Sequence, residues 1–264
     1  MRVAVADHTI QAGRRRDTGM DIVGALGAAT GTTCVVGAGG KKTTMAALGG
    51  RLDRAVVTAT VRIPIFDEWA GRVVITEDPV GTVEAALDRS DPDEWPLGVV
   101  PEQEREDRYR GYDPDTIDRV ADFDVPMLVK ADGARMRRFK APDDHEPRLP
   151  ETADTVVAIA SAHVVGEPLS EGLVHRVPEV NRITGLEPGE EITAAAVADV
   201  FASDRGGRKD VPNGATYVPL LNMVDDSDLE ASAREVAREI HDRVNVPRVV
   251  LAEMRAADPV VDVV

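Results

Sequence analysis

Eight consecutive residues, Gly37-Ala38-Gly39-Gly40-Lys41-Lys42-Thr43-Thr44, carry the densest chemistry in the chain. An apolar run precedes them, and an apolar helical pattern begins at Met45. Glycines let backbone N–H groups approach an anion, a helix N-terminus adds partial positive charge, lysine supplies a mobile cation, and a threonine hydroxyl can ligate magnesium. These are the parts of a phosphate cradle. The spacing departs from GxxxxGK[ST]: Val35 stands at the first glycine position, and Lys42 follows Lys41 where Ser or Thr belongs. A shorter G-x-x-G-K loop fits, with Thr43 or Thr44 on the metal side. A tight strand–helix turn with a cationic cap would use the same residues.

Leu128-Val129-Lys130-Ala131-Asp132-Gly133 sets an acid at the end of another apolar run. In an open α/β sheet that position borders the ligand crevice, where Asp132 could hold magnesium directly or through water. It could equally cap the following turn, helped by Gly133. Arg135, Arg137, Arg138 and Lys140 come next, the one dense cationic cluster, and imply a second anion. Gly133-Ala134-Arg135-Met136 with Lys140 also resembles the loop of nucleotidyltransferases acting on molybdopterin, although those loops follow the first strand of their domain. Leu221-Asn222-Met223-Val224-Asp225 resembles the N-K-x-D element that reads guanine. Asn222 and Asp225 could bond a base or begin a turn, and Met223 in place of Lys leaves guanine unspecified. Thr58 and Thr60 end a strand on the edge expected to face the glycine loop, which makes their hydroxyls candidate phosphate or substrate contacts. His145, His163 and His175 lack metal-ligand spacing, and no G-x-S-x-G, H-E-x-x-H or Cys/His pairing occurs.

Positioning these groups requires strands alternating with helices. Short, continuous apolar runs at 33–36, 55–61, 72–76, 126–131, 155–160, 216–221 and 248–252 predict strands buried on both faces. Helices are expected at 43–48, 81–88, 115–121, 194–202 and 229–243, the last with Ser227 as its N-cap. The alternation predicts a three-layer α/β fold of P-loop-like type, a mostly parallel sheet flanked by helices. Residues 20–264 read as a single domain, with the charged stretch 91–113 as a surface insertion or lid.

The chain has 264 residues, enough for one full core, and 31 basic against 47 acidic residues give a formal charge of −16. That balance argues against nucleic acid or an anionic membrane as partner, because both need a basic footprint. Asp is abundant, aromatic residues make up 3%, and the only lysines are Lys41, Lys42, Lys130, Lys140 and Lys209. Such a surface is expected of a halophilic, cytoplasmic protein, where salt screens self-repulsion. Each retained lysine then calls for a reason. No run of 18 apolar residues suggests a membrane span, and Cys34, the single cysteine, allows no intrachain disulfide. Arg14-Arg15-Arg16 before a weakly apolar stretch imitates a twin-arginine export signal, but Asp17, Asp21 and several glycines interrupt it. Residues 1–19 read more simply as a disordered leader or an over-long start.

In combination, the glycine loop, the Thr-rich strand end, A-D-G-A-R-M-R-R-F-K-A-P-D-D-H-E-P-R-L-P over 131–150, Gly166–Leu169, His175-Arg176, Ile192-Thr193 and N-M-V-D resemble the YqeC family of selenium cofactor biosynthesis proteins, over roughly 21–250. The resemblance implies a nucleotide-binding accessory protein for selenium-dependent molybdenum hydroxylases, using ATP or GTP with Mg2+. By position, Lys41 would be the phosphate-binding lysine, Thr43 the nearest hydroxyl, Asp132 the strand-end acid, and Lys140 with His145 part of the K-A-P…H-E-P segment. The cationic cluster would bind selenophosphate or a molybdopterin-type phosphate. Three positions depart from the family pattern: Lys42 is extra, Lys130 stands where Glu is expected, and Met223 replaces Lys. Two alternatives stay open, a non-catalytic carrier of a nucleotide or selenium species and a nucleotidyltransferase acting on molybdopterin.

Overall fold

The computed structural model describes residues 20–264 apart from residue 90. The expected leader over 1–19, with its Arg14-Arg15-Arg16 signal, lies outside the described residues. The stretch after it forms α1 (Ile22–Leu26) and β1 (Thr32–Gly37). The chain continues through α2 (Lys41–Gly49), β2 (Val56–Ala59), β3 (Ile63–Pro64), β4 (Arg72–Ile75), α3 (Pro79–Arg89) and β5 (Leu97–Val100). Next come β6 (Gln103–Arg105), β7 (Arg108–Tyr109), α4 (Pro114–Val120), β8 (Met127–Lys130), β9 (Phe139–Lys140), β10 (Ala153–Ser161) and β11 (Val174–His175). The C-terminal part holds α5 (Val177–Thr184), α6 (Ala194–Ala202), β12 (Thr216–Asn222), α7 (Ser227–Arg243), β13 (Val250–Ala252) and β14 (Val260–Val263).

Nine strands form one sheet in the order β14-β13-β12-β10-β1-β8-β2-β5-β4, and only the β13–β14 pairing is antiparallel. Alternate residues of the apolar runs divide between two core layers. Cys34 and Val36 of β1, with Val156, Ala158 and Ala160 of β10, pack with α3, α4, α5, α6 and α7. Val35, Val157 and Ile159 face the opposite layer with α1 and α2. This division makes the fold the three-layer, mostly parallel α/β arrangement that the continuous runs predict.

Three expectations change. The run at 72–76 is not buried on both faces: β4 is the edge strand beside β5, with Arg72 and Ile75 exposed. The N-cap of α7 is Asp226, whose carboxylate accepts from the N–H groups of Asp228 and Leu229 at 3.0 and 2.9 Å, and Ser227 is the first helical residue. Both residue types cap well, but only the acid also complements the helix dipole. The stretch 91–113 is not wholly a surface element. Its Leu97–Val100 segment is β5, fully buried between β2 and β4, and β6 and β7 from the remainder join β3 in a small antiparallel sheet, β3-β7-β6. Four apolar residues between charged flanks are too few for periodicity to reveal. No helix among the described residues is long and apolar enough to cross a membrane.

β1 lies between β8 and β10, and the sheet extends from it in both directions. The strand order therefore reverses at β1. The crevice beyond the carboxyl ends of β1 and β8 is where such sheets bind ligands.

Candidate functional site

β1 ends at Gly37 because the chain turns there through φ +87°, with the backbone of β10 directly beside it. Ala38 N–H then donates to the Ile159 carbonyl at 2.8 Å, stitching the loop to β10. At Gly40, φ is +129° and a Cβ would lie 2.2 Å from Asn222 Nδ2. Asn222 is 2% exposed. Its Nδ2 donates to Gly39 O at 2.8 Å, and its Oδ1 accepts from Met254 N–H at 3.2 Å. Both ends of the amide that would read a base are thus occupied in fastening the loop. Asp225, its expected companion, is exposed and lies 2.9 Å from His163 Nε2. Replacing Asn222 with Ala is accordingly expected to loosen the glycine loop and lower the unfolding free energy by about 1–3 kcal/mol, as urea denaturation would read.

Gly40 is the N-cap of α2 and offers no side chain to cap it, so the first-turn N–H groups and the helix dipole face the crevice. Lys42 stands half-exposed, 3.9 Å from Glu68. Thr43 borders the cleft, whereas Thr44 is buried and donates through Oγ1 to Gly40 O at 3.1 Å. Thr43 is thus the hydroxyl available to a ligand.

Beneath the loop lies a buried ion cluster. Lys41 Nζ donates to Gly37 O and sits 2.7 Å from Asp132 Oδ1, at ion-pair distance without hydrogen-bond alignment. Asp132 Oδ2 accepts from Gly37 N–H at 2.8 Å and lies 2.9 Å from Lys140 Nζ. Lys140 also reaches Glu146 Oε2 at 2.8 Å, and Arg176 meets the same oxygen at 2.6 Å. Glu146 Oε1 accepts from Gly133 N–H at 2.9 Å. Lys209 Nζ donates to the carbonyls of Glu146 and Asp143 at 2.7 and 3.1 Å. Lys130 Nζ donates to the carbonyl of Asp132 at 2.7 Å. Four of the five lysines therefore serve this cluster, and the fifth, Lys42, stands over the crevice. Burial raises the Asp132 carboxyl, but Lys41 and Lys140 outweigh it and hold the group at about 2. Burial lowers the Lys41 ammonium against the pull of Asp132. Burial, then Arg176, Lys140 and Arg135, push the His175 imidazole down to about 4.

A magnesium ion held by Asp132 does not fit this arrangement. Both carboxylate oxygens face lysine ammonium groups, Asp132 is not among the cleft-lining residues, and no group of three His, Cys, Asp or Glu among the described residues converges on a metal position.

Over the cluster opens a cleft of about 1030 Å³. The glycine loop and α2 form one wall, the loop carrying Arg135, Arg137 and Arg138 a second, and Ile63–Pro64 of β3 with Trp69 an apolar third. Nine of its lining residues are Lys or Arg and three are Asp or Glu, the reverse of a chain with 31 basic and 47 acidic residues. Arg135, Arg137 and Arg138 make no ion pair or side-chain hydrogen bond among the described residues. Arg135 and Met136 both adopt left-handed backbone, φ 44° and 60°, and Met136 is 93% exposed. The cationic run thus divides: Lys140 is buried and ion-paired, while the arginines remain free at the rim.

Thr58, Thr60 and His145 fall outside this cleft. Sheet order is the reason for the threonines, because β8 intervenes between β1 and β2. Thr58 is buried in β2. Thr60 Oγ1 donates to Arg148 O at 2.6 Å and borders a separate cavity of about 470 Å³. His145 is exposed, and its backbone N–H donates to Asp143 Oδ1 at 3.0 Å. Conversely, Glu146 and Arg176, which stand in the H-E-P and His175-Arg176 motifs but were given no role of their own, belong to the site, as does Arg62, which carries no signal in a sequence crowded with arginines. Lysine scarcity was the usable clue to Lys130.

The fold and site define an open, mostly parallel α/β protein with a glycine-rich strand–helix loop at its switch point, beside a cationic cleft. The chain belongs to the YqeC family. The family model described as YqeC protein matches residues 33–178, from the glycine strand to the first turn of α5. Over 198 residues the chain is 30% identical to "Uncharacterized protein YqeC" of Escherichia coli (strain K12), covering 71% of this chain and 74% of that protein.

Proposed function

We propose that the cleft binds a nucleoside triphosphate, ATP or GTP, with its phosphates on the glycine loop and the N-terminus of α2. The observation that carries this reading is the convergence of an uncapped helix N-terminus, Lys41, Lys42 and three free arginines on one cleft of a strongly acidic chain. Lys42 and Thr43 meet the phosphates, and Lys41 shifts its charge toward them from Asp132. Arg135, Arg137 and Arg138 receive a second anion, selenophosphate or the phosphate of a molybdopterin-type molecule. Resemblance to the selenium cofactor biosynthesis proteins supports a role as accessory protein in maturation of a selenium-dependent molybdenum hydroxylase.

The locked position of Asp132 favours holding over cleavage. The acid expected to organise magnesium is spent on two lysines, which supports a carrier with a degenerate loop over an NTPase. Phosphate release measured in molar KCl separates the two. Calorimetry of ATP, GTP and CTP with Mg2+ in the same salt tests the binding itself. Lys41→Ala is expected to weaken the preferred triphosphate about 100-fold and Lys42→Ala about tenfold, as charge-assisted contacts are lost. Absence of binding to all three, or binding indifferent to both lysines, would overturn the reading.

A further inference from the structure

Lys130 ends β8 and is 8% exposed, yet among the described residues no carboxylate lies within ion-pair distance of it. The other buried or half-buried lysines each have one: Lys41 has Asp132, Lys140 has Asp132 and Glu146, and Lys209 has Asp210. Lys130 Nζ instead donates to the backbone carbonyls of Arg62 and Asp132, both at 2.7 Å. An ammonium has three N–H donors and a neutral amine two. Two carbonyls satisfy the amine completely and leave the ammonium one N–H over, at a residue that borders the cleft. A buried ammonium without counter-charge is costly.

We propose that Lys130 is a ligand-contacting residue: an oxyanion of the molecule in the cleft supplies its missing counter-charge, and Lys130 takes up a proton from solvent as that oxyanion arrives. This rests on the anion-binding reading of the cleft and extends it to a residue and a proton. The surroundings support it. Lys41 on α2 and Lys140 on β9 repel a charge at Lys130, while Asp132 and Glu146 attract it from positions already committed to other cations. From the segment between β2 and β3 the Arg62 carbonyl meets it. Burial, then Lys41, bring the amine down to about 7, so the empty cleft at pH 8 holds it mostly neutral, and a bound oxyanion restores the charge.

The test is calorimetry of ATP and of inorganic tripolyphosphate in paired buffers of different ionisation enthalpy. Wild type is expected to take up most of a proton at pH 8 and much less at pH 6. His175, held near 4, contributes little at pH 8. Lys130→Met should abolish the uptake at pH 8 and weaken both probes about 10- to 100-fold. Lys130→Arg, permanently charged, should bind without uptake, and it keeps the idea testable if the Met variant folds poorly. Binding by wild type without proton uptake at pH 8, or uptake that survives in Lys130→Met, overturns the proposal while leaving the cleft an anion site. Absence of wild-type binding to both probes overturns this inference, and the nucleotide reading falls with it only if GTP and CTP also fail to bind.

Discussion

Replacing Asp132 with Ala is expected to lower the unfolding free energy by about 3–5 kcal/mol at pH 7, the cost of leaving buried charge unpaired. Asp132 is 2% exposed and stands between Lys41 and Lys140, themselves 6% and 4% exposed. Its removal strips the counter-charge from Lys41, half of it from Lys140, and the acceptor from Gly37 N–H. The pH dependence has a defined sign. The folded Asp132 carboxyl lies at about 2, below its ordinary 3.8. It therefore stabilises the native state above about pH 4 and loses that contribution as pH falls toward 2. Wild type should weaken through this window, and the variant should lack that component, so the two converge in acid. They should also converge in alkali. Burial already lowers the Lys41 pKa, and without Asp132 the amine sheds its proton more readily, which favours the folded variant as pH rises from 7 toward 10. Urea denaturation across this range checks both limbs. A deficit below about 1 kcal/mol at pH 7 would show that the cluster tolerates an unpaired lysine.

Gly37→Ala should be the next most severe change, about 2–4 kcal/mol, with the proposed triphosphate binding lost as well. Two penalties add there. The φ of +87° disfavours any Cβ, and the Cβ would sit 2.2 Å from Ile159 O and 2.7 Å from Ile159 N. β10 cannot retreat without breaking its parallel pairing with β1, in which Gly37 partners Ile159. Gly166 separates the two penalties, because its φ is +86° and a Cβ added there would meet nothing within 4 Å. Gly166→Ala should therefore cost only about 1 kcal/mol. Equal losses in the two variants would mean that backbone strain alone governs the loop and that the close approach to β10 is easily relieved.

Much of the positioning was local and hence legible. β1, β8, β10, β12 and β13 follow the continuous apolar runs, because a strand buried on both faces needs no polar alternation. The glycine loop and Asp132 were readable because their residue types are required within one strand–turn–helix or strand–turn unit. β5 escaped notice inside charged flanks, since four residues carry no period. Asp226 rather than Ser227 caps α7 because adjacent capping residues compete, and backbone angles select between them.

By itself, the sequence determined the α/β class, the glycine loop between a strand and a helix, the strand-end acid and, through the scarcity of lysine, which cations to examine. The tertiary structure alone decided what those residues face. Insertion of β8 between β1 and β2 moved Thr58 and Thr60 away from the loop and brought Asp132 under it. Parallel pairing carried Asn222 from 183 residues away onto Gly39, as a clamp. Burial then matched Asp132 to two lysines and left Lys130 without an acid among the described residues. Residue type and spacing report local geometry, whereas counter-charge, exposure and strand order depend on contacts between segments far apart in the chain.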